Sequence, residues 1–97
     1  MYIRIRGWEA NADKGPEFED ALREIVGWIR EAPGCVSADM CRAVGVGQAG
    51  KYFSLIRYET EDAYYKMQET VRNPRIVPRL GGLGQQTWEL VVGESIE

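Results

Sequence analysis

The apolar pattern of this chain switches between a period of two and a period of 3.6, and the order of the switches leaves few folds open. Residues 2–8 (YIRIRGW) alternate, with Ile3 and Ile5 on one side and Tyr2, Arg4, Arg6 and Trp8 on the other, as in a half-buried strand. From Glu17 to about Glu31, Phe18, Ala21, Leu22, Ile25, Val26 and Ile29 recur at amphipathic-helix spacing, with Trp28 on the flank. Pro16 suits the first turn of that helix, and Ala32-Pro33-Gly34 stops it. Cys35 to about Val44 and Lys51 to Tyr58 read as two further strands joined by the hairpin GVGQAG. Thr60 is placed to cap a second helix, with Glu61 and Asp62 in its first turn and Ala63, Tyr64, Met67 and Val71 as its buried stripe. The residue before a proline is driven out of the α region, so this helix should end before Asn73-Pro74. A loop, PRIVPRLGGLGQQ, then leads to a last strand at residues 87–92.

The order β-α-β-β-α-β within one domain, residues 1–97, predicts a four-stranded antiparallel sheet with both helices on one face, the ferredoxin-like plait of the α+β class. If the helices cover Ile3 and Ile5, the open face carries Arg4, Arg6 and Trp8, joined by Asp39, Arg57 and Glu89. Charges interleaved with aromatics suit a sheet-to-sheet homodimer, and pairing would enlarge the small core of a 97-residue chain.

Twelve basic against fifteen acidic residues, net −3, leave no basic stripe, which argues against a nucleic-acid partner. No apolar run approaches the roughly 20 residues of a membrane helix, and Arg4 and Arg6 interrupt the start where a signal peptide needs its apolar core. A cytoplasmic protein without membrane contact is expected. There is no histidine, which removes Ser–His and Cys–His pairs and imidazole metal ligands. Cys35 and Cys41 are too few for a zinc site, and six extended residues span roughly 20 Å, too far for a disulfide between them. Gly45-Val-Gly-Gln-Ala-Gly50-Lys51 satisfies two phosphate-loop fingerprints, yet a strand follows it where a helix N-terminus is required.

Two segments carry a resemblance. Glu31-Ala-Pro-Gly-Cys35 at the end of the first helix and Arg57-Tyr-Glu-Thr-Glu-Asp-Ala-Tyr-Tyr-Lys66 opening the second resemble the two motifs of the antibiotic biosynthesis monooxygenase (ABM) family. The resemblance runs over nearly the whole chain. It implies a dimeric α/β barrel, a cavity between helices and sheet in each subunit, and oxygenase chemistry without a cofactor or metal. Two positions depart from the family pattern: its tryptophan at the end of the third strand is Tyr58, and its histidine in the second helix is Met67. The asparagine of the haem-degrading branch is absent from the first strand, and with no histidine its haem ligation is excluded.

The expected function is therefore a small cofactor-independent monooxygenase acting on an aromatic or polyketide-type phenol. The alternatives are a ligand-binding or accessory dimer, and a cyclase or isomerase, on the same fold. Tyr58 and Tyr64 are the candidate catalytic residues, since a phenol can bond a phenolic substrate and one of lowered pKa can take its proton. Trp28, Met67, Arg72 and Trp88 are candidate substrate contacts, with Arg72, Arg75 and Arg79 grouped at the cavity mouth to hold an acidic or enolate group.

Overall fold

A computed structural model describes residues 1–96, the side chains of residues 88–91 excepted. Its elements are β1 (Tyr2–Ala10), α1 (Gly15–Glu31), β2 (Cys35–Arg42), β3 (Lys51–Tyr58), α2 (Glu61–Met67), a π-helical segment (Gln68–Ile76), α3 (Val77–Leu80) and β4 (Gly84–Glu94). The four strands form one antiparallel sheet in the order β2-β3-β1-β4, the ferredoxin-like arrangement expected from the element order. Phe18, Ala21, Leu22, Ile25 and Ile29 of α1 meet Ile56 and Tyr58 of β3 in the core, and Met67, Val71, Ile76 and Leu80 close it from the second helical stretch. Among the described residues no helix is long and apolar enough to cross a membrane.

The face of β1 is the reverse of the expected one. Tyr52, Ser54, Ile56 and Tyr58 are the buried positions of β3, and the register sets Trp8 opposite Tyr52, Arg6 opposite Ser54 and Arg4 opposite Ile56. Directly opposed residues share a face, so Arg4, Arg6 and Trp8 lie beneath the helices, at 2%, 6% and 6% exposure. They are therefore not residues of the open face. Ile3 and Ile5 occupy that face instead, half-buried beside Phe53, Leu55 and Arg57. Strict alternation divides a strand into two sets without saying which set goes inward, and here the neighbouring strand decides. Asp39 does lie on the open face, opposite Leu55, while the Glu89 and Trp88 side chains lie outside the described residues.

The second helix also departs from expectation. Thr60 caps α2 by accepting a hydrogen bond from the Ala63 N–H at 3.1 Å, but the chain does not leave the helix at Asn73. It widens into π turns that contain Pro74. The Val77 N–H donates to the Arg72 carbonyl five residues back, so the ladder spans a proline that has no N–H to offer. The remainder of the expected loop holds α3, and β4 begins at Gly84.

Two glycines fix how these parts meet. Gly34 has φ +85°, and a Cβ there would overlap the Ala63 methyl group, so the turn after α1 packs directly on α2. The Glu59 N–H donates to the Gly34 carbonyl at 2.9 Å and locks that contact. A side chain at Gly84 would strike the Phe18 ring and the Glu9 carbonyl. The hairpin after β2 runs through left-handed turns at Gly45, Gly47 and Gly50 into β3, with no helix N-terminus to receive a phosphate. Both cysteines of β2 are free.

Candidate functional site

Seven buried side-chain polar atoms among the described residues have no hydrogen-bond partner, and all but Ser37 Oγ belong to five residues: Arg4 Nε and Nη1, Arg6 Nε, Arg72 Nε, Gln68 Nε2 and Tyr58 Oη. Arg4 and Arg6 come from the inward face of β1, Tyr58 from the end of β3, and Gln68 and Arg72 from the π-helical segment. Gln68 and Arg72 are four residues apart, and both present a buried polar atom. Arg6 Nη1 does find a partner, donating to Gln86 Oε1 at 2.7 Å, and its guanidinium lies 5.8 Å from the Trp8 ring centroid. Trp8 donates in turn to Ser54 Oγ at 3.3 Å.

Electrostatics tie the group together. Burial lowers the pKa of Arg4, the Tyr58 and Tyr64 phenols oppose that, and the charge of Arg72 lowers it further. Burial, then the charges of Arg4 and Arg72, bring Arg6 down to about 10. A guanidinium with these shifts is still protonated at neutral pH, so positive charge accumulates here. No acidic side chain among the described residues lies within ion-pair distance of Arg4, Arg6 or Arg72. Burial pushes the Tyr58 phenol up to about 12, against the pull of Arg4. The expectation of a lowered tyrosine pKa is therefore reversed at Tyr58, which stays protonated and can only donate or accept a hydrogen bond at neutral pH.

Of the expected site residues, Tyr58, Tyr64 and Arg72 come together. The Tyr58 and Tyr64 rings meet edge to face at 5.6 Å, and Tyr64 also packs on Tyr2 at 5.4 Å. Met67 is fully buried core beneath α2. Trp28 is engaged elsewhere, with the Arg75 guanidinium 4.1 Å above its ring. Arg79 bonds Glu24 at 3.1 Å. The expected trio of arginines is thus divided: α1 holds Arg75 and Arg79, and only Arg72 turns inward. Arg4, Arg6 and Gln68 are the site residues that sequence reasoning missed. Two arginines on one side of a strand also holding Tyr2 and Trp8 were the available signal.

A second polar cluster lies between α1, β2 and β3. Arg42 grips Glu19 through Nε at 2.9 Å and Nη2 at 2.6 Å, and Tyr52 donates to the same carboxylate at 2.8 Å. The bonds from Arg42, then Tyr52, hold the Glu19 carboxyl down at about 2. A groove of about 310 Å³ runs beside it, lined by Val26, Met40 and Tyr52 among others. Neither this groove nor two others that border Tyr52 are lined by Arg4, Arg6 or Arg72.

The fold has many solved likenesses. A Nitrosomonas europaea protein classed with the antibiotic biosynthesis monooxygenases matches with a TM-score of 0.84 at 16% identity, over 100% of both chains. SnoaB, a cofactor-independent oxygenase from Streptomyces nogalater, matches at 0.80 and 12% identity over 99% of this chain and 93% of its own. HapK from Hahella chejuensis matches at 0.80 and 18% identity over the same shares. At these identities the likeness is one of fold. No curated protein matches the chain significantly. The sequence itself matches the family model described as antibiotic biosynthesis monooxygenase over residues 1–71, a span from β1 through both motifs to the start of the π-helical segment. A ferredoxin-like plait with both motif segments packed on each other through Gly34 and Ala63, matched by that model over most of its length, belongs to the ABM family.

Proposed function

We propose that this protein is a small monooxygenase that needs no cofactor and oxidises an aromatic or polyketide-type phenol in the helix-covered interior. The observation that supports it is the buried cluster of Arg4, Arg6, Arg72 and Tyr58, in which Arg4 Nε and Nη1, Arg6 Nε, Arg72 Nε and Tyr58 Oη have no hydrogen-bond partner among the described residues. Donors of this kind favour an ionised substrate over a neutral one, lowering the pKa of a bound phenol or enol. The electron-rich anion then reduces dioxygen directly. In the quinone-forming version a ring CH2 becomes C=O: one oxygen atom stays on carbon, the other leaves as water with the two hydrogens, and the substrate supplies all four electrons. Tyr58, still protonated, donates to the developing oxyanion, and Tyr64 and Met67 wall the ring.

The open face supports a homodimer built differently from the expected one, with Ile3, Ile5, Phe53 and Leu55 as its apolar centre and Arg57 at its margin. A reduced, cytoplasmic setting suits the two free thiols. An oxygen electrode with metal-free protein and a panel of anthrones and hydroquinones tests the activity: uptake should survive chelators and require folded protein. Tyr58→Phe should cut turnover about tenfold or more, and an unchanged rate would remove Tyr58 from the catalytic machinery.

The composition of the cluster favours one second reading. Nothing described in it accepts a proton at neutral pH, which suits a ligand-binding dimer that only holds an anion. Such a protein consumes no oxygen, whereas a cyclase or isomerase turns over anaerobically.

A further inference from the structure

A single reacting oxyanion leaves most of this cluster unanswered. Three guanidiniums carry three positive charges, and Arg4, Arg6 and Arg72 have no acidic partner among the described residues. An ionised phenol or enol brings one negative charge and, on its oxygen, room for two or three donors. The orphaned donors are five nitrogens and one phenol, contributed from both sides of the interior. Unpaired charge at 2% exposure on Arg4 and 6% on Arg6 destabilises the empty protein. A site that retains this cost fits a ligand that brings a permanent negative group.

We propose that the ligand is an aromatic carboxylic acid, with its carboxylate seated between Arg4, Arg6 and Arg72 and its ring along Tyr58 and Tyr64. The inference deepens the reading above by naming the acidic group that the substrate carries before any proton is removed. A carboxylate matches the cluster better than a simple halide: it has two oxygens with about four acceptor sites, enough for donors that reach it from separate residues. Arg4 offers Nε or Nη1, which lie on opposite edges of its guanidinium, and Arg6 and Arg72 each offer an Nε. The tyrosine rings then form the wall, with Tyr58 and Tyr64 edge to face and Tyr64 against Tyr2 and Tyr65. Trp8, which lies against Arg6, is a built-in reporter.

Benzoate and its neutral isostere benzamide separate charge from shape. Calorimetric titration of the full chain should give benzoate at least about tenfold tighter than benzamide, with benzoate raising the melting temperature and changing the fluorescence that is lost in Trp8→Phe. Arg4→Met and, as a second variant at the far side of the site, Arg72→Met should each weaken benzoate about tenfold or more and leave benzamide unchanged. Arg57→Met, on the open face, should have no effect. Equal affinities for the two probes overturn the proposal, as does benzoate binding that survives both Arg4→Met and Arg72→Met in folded protein. The oxygenase reading fails separately. Benzoate binding with no oxygen uptake from hydroxylated aromatic acids removes the oxygenase and keeps the acid site. Uptake with neutral anthrones that benzoate neither inhibits nor accompanies by binding keeps the oxygenase and removes the acid site.

Discussion

This protein holds two arginine clusters that solve opposite problems. Between α1 and β2, Arg42, Tyr52 and Arg23 all bond the Glu19 carboxylate. Beneath the π-helical segment, Arg4, Arg6, Arg72 and Tyr58 converge with no carboxylate described among them. The first cluster is partly open to water, so its charges are cheap to keep and its bonds clip a helix to a sheet. The second is buried, where an unpaired charge is expensive and serves only if something else completes it. The same side chain is a clip in one place and a socket in the other, and the difference is the presence of one carboxylate.

That contrast breaks most visibly through Arg4. Arg4→Met keeps an unbranched apolar stem and removes a buried charge without a partner, so the variant should gain about 2 kcal/mol in urea unfolding. A loss of stability would mean that the charge is already satisfied. Glu19→Ala acts in the other direction and by less, losing about 1 kcal/mol because Arg42 regains water and Tyr52 loses its acceptor. Acid sharpens the same point. The Glu19 carboxyl is held below its ordinary 4.5, at about 2, so its contribution is whole above about pH 4.5 and fades as pH falls toward 2. Unfolding measured from pH 5 to pH 2 should therefore show a shallower decline in Glu19→Gln than in the parent, and parallel curves would deny Glu19 that role.

The element order, the hairpin, the cap at Thr60 and the two family motifs were all legible in the sequence, because each rests on local chemistry: periodicity, a helix stop at Pro33-Gly34, a hydroxyl before two acids. What escaped was non-local. YIRIRGW alternates equally well in either orientation, and isoleucine ordinarily wins the interior over arginine. Only the pairing with Ile56 and Ser54 turns Arg4 and Arg6 inward, and the reversal carried the candidate site with it. Pro74 misled for a different reason. Its rule assumes the α-helical ladder, whereas a bond five residues long passes over the proline without needing its N–H. Tyr58 was legible as a candidate from the family position it occupies, but its protonation depends on a buried setting that no local pattern encodes.

The widened turns have a consequence for how the interior cluster is inherited. A π turn holds one residue more than an α turn, and the excess rotates everything beyond it by about 100°. Whether Arg72 faces the sheet or the solvent is thus a matter of chain length within residues 68–76. Deleting a single residue there would tighten the spiral and swing the third arginine away, leaving both strand arginines in place. A site of this construction changes its charge by insertion and deletion as readily as by substitution.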